Sequence, residues 1–219
     1  MSVPISRSVV ESLVREVVQE RLAQAAILPP KLFVNASSRH MHITRKHLEV
    51  LFGPGAELSV HKELYQEGFY ASGQTVTLVG PRGRTIPSLR ILGPLRDYTQ
   101  IELAFSDAIM LGIDKVPIRL AGDLAGSPGA VLIGPKGTLE LEQGVVRSAP
   151  HVHMSPADAA FYGVKNMDRM KLRVGGELGC VFEGVVARVG PASRLEVHLD
   201  TDEANACGLA MAQHVELFT

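Results

Sequence analysis

The stretch Ser37-Ser38-Arg39-His40-Met41-His42-Ile43-Thr44 decides how this chain is interpreted, because the second half contains its echo, Pro150-His151-Val152-His153-Met154-Ser155. Each stretch holds a His-x-His doublet followed by an apolar residue and a hydroxyl residue. Residues i and i+2 of a β-strand point to the same face, about 6 to 7 Å apart, so two imidazoles can converge on one ion. Each doublet therefore predicts a strand that carries metal ligands.

The two halves of the chain resemble each other beyond the doublets. Val79-Gly80-Pro81 follows the first doublet by about 40 residues, and Val189-Gly190-Pro191 follows the second at about the same distance. We infer a duplicated unit. Two related β-domains that meet face to face would bring both doublets to one interface, where ligand sites are often built.

After Pro30 the chain consists of short β-rich runs separated by Gly and Pro, which is typical of barrels or sandwiches. The predicted strands are Lys31–Val34, Thr75–Val79, Thr85–Leu92, Val116–Leu120, Ala130–Ile133, Thr138–Leu141, Lys171–Val174, Val181–Val189, Leu195–Leu199 and His214–Phe218. Short helices should follow the doublets, because Thr44 and Ser155 are good N-caps. The expected fold is mainly β, with two related β-barrel domains over residues 31–121 and 122–219, short capping helices and strands that could be exchanged. The turn Gly134–Gly137 fits a tight hairpin better than a phosphate nest.

Residues 1–30 predict an amphipathic helix and a linker. The helix runs from Ser6 to Ala26 and is stopped by Pro29-Pro30, with adjacent apolar stripes at Ile5, Val9, Leu13, Val17 and at Val10, Val14, Val18, Leu22. The stripe could pack on the body of the protein or dock on another protein.

Composition excludes several functional classes. The net charge is -1 and the pI about 6.7, so no global basic field exists to hold nucleic acid. The absence of Trp and an aromatic content of 5% argue against a base-stacking surface. Charges interrupt the N-terminal apolar residues and no run is long enough for a membrane span, so neither secretion nor a membrane location is expected. Cys180 and Cys207 form no metal-type pair, which favours a reducing cytosolic setting.

Four imidazoles are more than one catalytic metal with an open position needs, so two metal sites are expected. Glu102 and His198 are candidates for the further ligands, although alone they would be interpreted as a solvated strand carboxylate and a core histidine. Arg96, at the turn Gly93-Pro94-Leu95-Arg96, could clamp a phosphate or carboxylate. A cupin, a metallo-β-lactamase or an amidohydrolase barrel would need ligands or a length that this chain lacks.

Taken together, these residues resemble the PduL-type phosphotransacylases, the phosphate propanoyltransferase family of bacterial microcompartments. The resemblance covers residues 31–219. Besides the two doublet stretches, it rests on Ile91–Arg96, Thr99–Glu102, Gly122–Gly129, Gly134–Gly137 and Val197–Asn205. It implies two β-barrel domains, two zinc ions at their interface, and reversible transfer of a short acyl group, such as acetyl or propanoyl, between coenzyme A and phosphate.

The resemblance also implies a role for each site residue. One zinc would be bound by His40, His42 and Glu102, the second by His151, His153 and His198, and phosphate by Arg96. The implied contacts of coenzyme A are Ser37, Lys62, Arg90, Leu92, His198 and Asn205. The N-terminal helix would be an encapsulation peptide that docks on microcompartment shell or core proteins, which places the enzyme in the microcompartment lumen within the cytoplasm.

Two other functions remain open at this point, and the resemblance is also compatible with a homo-oligomer. A dinuclear zinc hydrolase of thioesters or phosphoesters could use the same ligands. A zinc-stabilised scaffold would need closed coordination with no room for substrate.

Overall fold

The computed structural model describes residues 6–25 and 29–219 and divides the chain into two compact units, Met1–Lys31 and Leu32–Thr219. The first unit contains helix α1 (Arg7–Ala25), which confirms the predicted N-terminal helix. Ile5 and Ala26 of that prediction lie outside the described residues. Six apolar side chains of α1 are about half exposed: Val9, Val10, Leu13, Val14, Val17 and Val18. Within the described ranges, no helix is long and apolar enough to cross a membrane.

The second unit is built from strands and short helices. Its helices are α2 (Arg45–Phe52), α3 (Phe105–Leu111), α4 (Pro156–Tyr162) and α5 (Thr201–Ala206), with a 3-10 turn at Leu209–Met211. Its strands are β1 (Phe33–Ser37), β2 (His40–His42), β3 (Val60–Glu63), β4 (Tyr70–Val79), β5 (Thr85–Gly93), β6 (Gln100–Glu102), β7 (Ile118–Arg119), β8 (Ala130–Ile133), β9 (Thr138–Leu141), β10 (Val145–Ser148), β11 (His151–Met154), β12 (Arg169–Gly175), β13 (Cys180–Val189), β14 (Glu196–Asp200) and β15 (His214–Phe218).

The strands form two sheets, each curled into a half-barrel. The first has the order β7-β10-β6-β2-β5-β4-β8-β9, with β3 also paired to β4, and the second has the order β1-β14-β11-β13-β12-β15. The predicted mainly β fold with short helices is therefore confirmed.

The duplication is visible in the strand pairing. Strand β2 lies antiparallel to β6 and parallel to β5, and β11 lies antiparallel to β14 and parallel to β13. In turn β5 pairs antiparallel with β4, and β13 pairs antiparallel with β12. The two doublets thus occupy equivalent positions. The two Val-Gly-Pro stretches do not occupy equivalent positions, so this part of the predicted similarity is wrong. Gly80 follows β4, whereas Gly190 follows β13, the counterpart of β5.

Each sheet contains strands from the other part of the chain, since β8, β9 and β10 of the first sheet lie beyond residue 122 and β1 of the second lies before it. Strand β1, just before the first doublet, runs parallel to β14, and β10, just before the second doublet, runs parallel to β6. Sheet membership therefore crosses the boundary predicted near residue 122 in both directions. The assignment of residues 31–121 and 122–219 to separate domains remains a prediction.

Two hydrophobic cores lie under the two sheets. Met41 belongs to the first core and Val152 to the second, and neither side chain is exposed to solvent. Because side chains alternate along a strand, burying the middle residue of each doublet turns both histidines to the opposite face. The cores thus fix the direction in which the histidines point.

Local capping follows the sequence. The Thr44 hydroxyl accepts a hydrogen bond from the backbone N–H of His47, and Ser155 and Asp158 form a capping box at α4, as the hydroxyl residues predicted. The turn Gly134–Gly137 joins β8 to β9 in a hairpin, also as predicted. Strands β3, β6 and β10 and helices α3 and α5 are not among the predicted elements, because they are short and lack a clear apolar period.

Candidate metal centre

The first cluster consists of His40, His42 and Glu102, whose ligand atoms lie within 4.8 Å of one another. His40 is the register partner of Glu102 across β2 and β6, so both side chains project from the same face. The Nε2 atoms of His40 and His42 lie 3.6 and 3.8 Å from the Glu102 carboxylate oxygens. The Nδ1 atom of His40 faces the Ser38 carbonyl at 2.8 Å, which leaves its Nε2 for a cation.

The second cluster consists of His151, His153 and His198, again within 4.8 Å of one another. His151 is the register partner of His198 across β11 and β14, and their rings are stacked with centroids 5.0 Å apart. The Nδ1 atom of His151 faces the Ala149 carbonyl at 2.8 Å, as His40 faces Ser38. The two clusters therefore repeat the same local arrangement.

Both clusters open into one cleft between the two sheets. The cleft is lined by Ser37, Ser38, Arg39, His40, Glu102, Leu103, Ala104, Ser148, Ala149, His151, His198, Leu199 and Asp200. Residues of β2 and β6 thus face residues of β11 and β14 across a single cavity. Four of the six side chains that the sequence singled out as ligands line the cleft, and the other two, His42 and His153, belong to the same clusters.

Three imidazoles of the centre, those of His42, His151 and His153, are held in the neutral form. Burial, and then the neighbouring imidazole charges, lower the pKa of His42 and His153 to about 3, and burial followed by the charge of His198 lowers that of His151 to about 4. Burial alone would raise the pKa of Glu102, but the charges of His40 and His42 hold it at about 2. Neutral imidazoles and an ionised carboxylate are the forms that bind a cation.

A second row of buried side chains contacts the clusters. The Gln100 side chain donates a 2.7 Å hydrogen bond from Nε2 to Glu102 and accepts one from the Gly122 N–H at 2.8 Å. The Glu196 Oε2 atom lies 3.0 Å from the His198 Nε2 atom, although the two are not aligned as a hydrogen bond. Gln66 donates to Glu196 at 2.8 Å.

An arginine stands next to each cluster. The charge of Arg96 helps to lower the pKa of His42, and its guanidinium donates to the Tyr98 hydroxyl at 2.5 Å and lies over the rings of Phe69 and Tyr98. Arg188 is the register partner of His153 and, among the described residues, forms no ion pair. Each cluster therefore has a guanidinium that could attract an anion.

The residues predicted to bind coenzyme A are spread more widely. Ser37 and His198 line the cleft, and Arg90 is the register partner of His40 and donates to the Ser72 carbonyl at 2.6 Å. Leu92 lies two residues further along β5. Lys62 on β3 and Asn205 on α5 are exposed. Their roles in coenzyme A binding remain predictions.

The two clusters fit a divalent cation on chemical grounds. The donor sets, two imidazoles with a carboxylate and three imidazoles, are those that catalytic zinc favours with a position left open.

Three residues next to the clusters could not be found from the sequence: Gln100, Glu196 and Arg188. Gln100 lies within a stretch that the sequence analysis quoted, but nothing marked its amide as functional. Glu196 and Arg188 gave no motif. Their relevance depends on strand register, which places each beside a ligand from a distant part of the chain.

The fold and the site together define a β-rich protein of duplicated topology with paired candidate metal clusters in one cleft. The family model described as phosphate propanoyltransferase matches residues 33–210. A phosphate propanoyltransferase of Planctopirus limnophila is 50% identical over 97% of this chain and 91% of its own length. The phosphate propanoyltransferase of Thermotoga maritima is 49% identical over 82% of this chain and 85% of its own length. That of Salmonella typhimurium is 42% identical over 93% of this chain and 93% of its own length.

The chain belongs to the phosphate propanoyltransferase family, as the resemblance predicted. It is therefore an acyltransferase, and the family implies acyl-CoA and phosphate as its substrates.

Proposed function

We propose that this protein is a zinc-dependent phosphate acyltransferase with two zinc ions per chain, which converts acetyl- or propanoyl-CoA and phosphate into acyl phosphate and coenzyme A, reversibly. The observation that carries the proposal is the single cleft lined by ligands of both clusters. A cleft shared by two metal sites suits a reaction in which two substrates must meet in a defined orientation.

In this proposal His40, His42 and Glu102 hold one zinc ion, and His151, His153 and His198 hold the other. When bound, the zinc ions supply Lewis acidity that stabilises a thiolate leaving group and neutralises phosphate charge. The second set contains three imidazoles, so it leaves a fourth position open for an exchangeable ligand.

Arg96 binds phosphate in this proposal. Its guanidinium is the forked donor that matches phosphate oxygens, and its contacts with Tyr98 and Phe69 restrict its position. Arg188 adds positive charge beside the second cluster. The chain thus orients the incoming phosphate and offsets its negative charge.

The reaction balances without a covalent enzyme intermediate. A phosphate oxygen forms a bond to the thioester carbonyl carbon, and the carbon–sulfur bond breaks. The electron pair leaves on the coenzyme A sulfur, and the proton lost from hydrogen phosphate neutralises the thiolate. Neither cysteine is needed as a nucleophile, since neither lines the cleft.

Coenzyme A is proposed to contact Ser37, Lys62, Arg90, Leu92, His198 and Asn205. Ser37 and His198 lie in the cleft, which supports a position for the reactive end of the cofactor there. Lys62 and Arg90 are cations that could pair with its phosphates.

The proposal is tested by coenzyme A release from acetyl-CoA and propanoyl-CoA with and without phosphate, combined with elemental analysis. We expect release that depends on phosphate, and two zinc ions per chain. The His151→Ala variant should hold one zinc ion, whereas His61→Ala, at an exposed histidine outside both clusters, should hold two. Release independent of phosphate would show a zinc hydrolase instead. Absence of zinc from the active protein would refute the metal sites.

We further propose that the protein resides in a microcompartment lumen, with α1 as the docking segment. The half-exposed apolar side chains of α1 support this proposal, because an exposed apolar helix face favours association with a partner.

A further inference from the structure

Gln100 and Glu196 occupy equivalent places in the duplicated fold. Gln100 is the register partner of His42 across β6 and β2, and Glu196 is the register partner of His153 across β14 and β11. Each stands two residues before the ligand that its strand contributes, Glu102 or His198. Since residues two apart share a strand face, each lies on the same face as its cluster.

Gln100 and Glu196 differ in whether they donate or accept hydrogen bonds, and the difference matches their neighbouring ligands. The ligand beside Gln100 is a carboxylate, which only accepts hydrogen bonds, and the Gln100 amide donates to it. The ligand beside Glu196 is an imidazole, which can donate from one ring nitrogen, and a carboxylate only accepts. The hydrogen-bonding capacity of Gln100 and of Glu196 thus complements that of the neighbouring ligand.

The Gln100 and Glu196 side chains are each held by a further hydrogen bond. Gln100 is 1% exposed, and its amide oxygen accepts from the Gly122 N–H. Glu196 is 3% exposed and accepts from Gln66, whose amide also bonds the N–H and carbonyl of Arg194. A buried and anchored partner limits the orientations that a ligand can adopt.

From this equivalence we infer that Gln100 and Glu196 are paired positioning residues, each of which orients the β6 or β14 ligand of one metal cluster. The inference rests on the proposed metal sites. Glu196 is not a ligand itself, because it is not part of the cluster whose atoms lie within 4.8 Å of one another. The 3.0 Å distance from His198 Nε2 to the Glu196 carboxylate is within reach of a hydrogen bond, and a histidine that donates from one ring nitrogen binds a cation with the other.

The test measures the dissociation constant of Zn²⁺ at each cluster separately, by competition with a chromophoric chelator. The His151→Ala variant disrupts the second cluster and retains the first, whereas the His40→Ala variant disrupts the first and retains the second. In the His40→Ala background we expect Glu196→Leu to weaken Zn²⁺ binding by about 10- to 100-fold and Gln100→Met to have little effect. In the His151→Ala background the order should reverse. Visible spectra of Co²⁺ at each site should change in the same crossed pattern.

The crossed pattern separates positioning from general destabilisation, which would weaken both clusters together. Glu196→Gln keeps the volume and an acceptor, so it should retain more affinity than Glu196→Leu and provides a second variant if the leucine variant does not fold. Glu216→Leu, an exposed carboxylate on β15 of the same sheet, is the control. Equal effects at both clusters, or none, would overturn the inference. If the unsubstituted chain binds no Zn²⁺, the proposed function itself fails.

Discussion

The Arg96 side chain is restricted in position without forming an ion pair to any residue that the structure describes. Its backbone N–H donates to the Ile43 carbonyl at 3.0 Å, which ties the turn after β5 to the strand of the first doublet. Its guanidinium contacts the Tyr98 hydroxyl and two aromatic rings rather than a carboxylate. Because no carboxylate in the described part of the chain neutralises it, its charge remains available to phosphate.

Replacing Arg96 by alanine should reduce kcat/KM for phosphate by about 100- to 1,000-fold, because a preorganised donor to the developing charge is lost. Zinc content should stay at two ions, since Arg96 belongs to neither cluster. Arg82→Ala is the control, because Arg82 is exposed and pairs with Asp114. Steady-state kinetics at varied phosphate concentration, with metal analysis of the same samples, provide the measurement. Unchanged phosphate saturation in the variant would remove Arg96 from phosphate binding.

The buried histidines also predict how the metal-free protein responds to acid. Burial is the largest cause that lowers the pKa values of His42, His151 and His153 in the fold, whereas an unfolded chain titrates near 6.5. Between these values the unfolded chain binds more protons, so the free energy of unfolding falls as the pH falls. We expect the Tm of chelator-treated protein to decline from about pH 6.5 toward pH 4.

The same experiment on His153→Gln should give a shallower decline, because one buried imidazole no longer titrates. A Tm that stays constant or rises as the pH falls from 6.5 to 5 would contradict the neutral, buried state of the three rings. His61→Gln serves as the control, because the side chain of His61 is exposed on β3.

At the residue scale, the members of the two clusters could be selected from the sequence, whereas the residues that contact them could not. The doublets could be found because two histidines of one ligand set lie two positions apart, within the period of a strand. Glu102, in the stretch Thr99–Glu102, and His198, inside the apolar strand Leu195–Leu199, were candidates for the further ligands. Gln100 and Glu196 gain their roles only from register with residues about 50 positions away, and register is a tertiary property.

The exchanged strands are the elements that connect the two halves of the fold. On β10, Arg147 reaches across to α5 and bonds Asp200 at 2.5 Å and Glu203 at 2.6 Å, while its guanidinium lies 4.9 Å from the Phe105 ring centroid. Asp202 on α5 accepts from the Ser106 N–H at 2.9 Å. These contacts join the strand before the second doublet to the helix after His198.

Arg147→Met should reduce the free energy of unfolding by about 3 to 5 kcal/mol, because it leaves two buried carboxylates without their cation. The three side chains are between 7% and 12% exposed, so little solvent is available to screen the loss. Chemical denaturation measures the change. Arg173→Met is the matched control, since the Arg173–Glu216 pair is about half exposed, and it should cost less than about 1 kcal/mol. Similar losses in both variants would show that the Arg147 network adds no special stability.

At the element scale, the sequence predicted the bounds of several strands closely. The bounds of β8, β9 and β15 were predicted without error, and those of β13 within one residue. The sequence could not predict which sheet each strand joins. Strand β1 lies next to β2 along the chain but pairs with β14, because the long-range burial of both sheets outweighs sequence proximity.

For the whole molecule, the duplicated topology explains why the cleft carries two similar but unequal clusters. The same β-framework places a ligand pair on β2 and β11, and the third position is a carboxylate on β6 and an imidazole on β14. The cluster with the carboxylate carries one more negative charge. The two clusters should therefore differ in the charge that they can stabilise, as a reaction with a sulfur leaving group and a phosphate nucleophile requires.

The unit Leu32–Thr219 contains both sheets, both cores and all six proposed ligands, whereas α1 presents apolar side chains that are about half exposed. Removing residues 2–30 should therefore leave the Tm of the remaining unit, its zinc content and its phosphate-dependent turnover nearly unchanged. Incorporation into microcompartments should be lost, because docking is assigned to the apolar face of α1. Calorimetry, kinetics and co-sedimentation with purified compartments measure these quantities.

The double substitution Leu13→Asp and Val17→Asp in the full-length chain separates the apolar face from the presence of the segment, and it should abolish incorporation as truncation does. Glu16→Gln is the control, because it leaves every apolar residue of α1 in place, and its incorporation should match that of the unsubstituted chain. Incorporation that persists after truncation would place the docking surface on the unit Leu32–Thr219. A large loss of turnover after truncation would instead make α1 part of the catalytic structure, contrary to the division of the chain into two compact units.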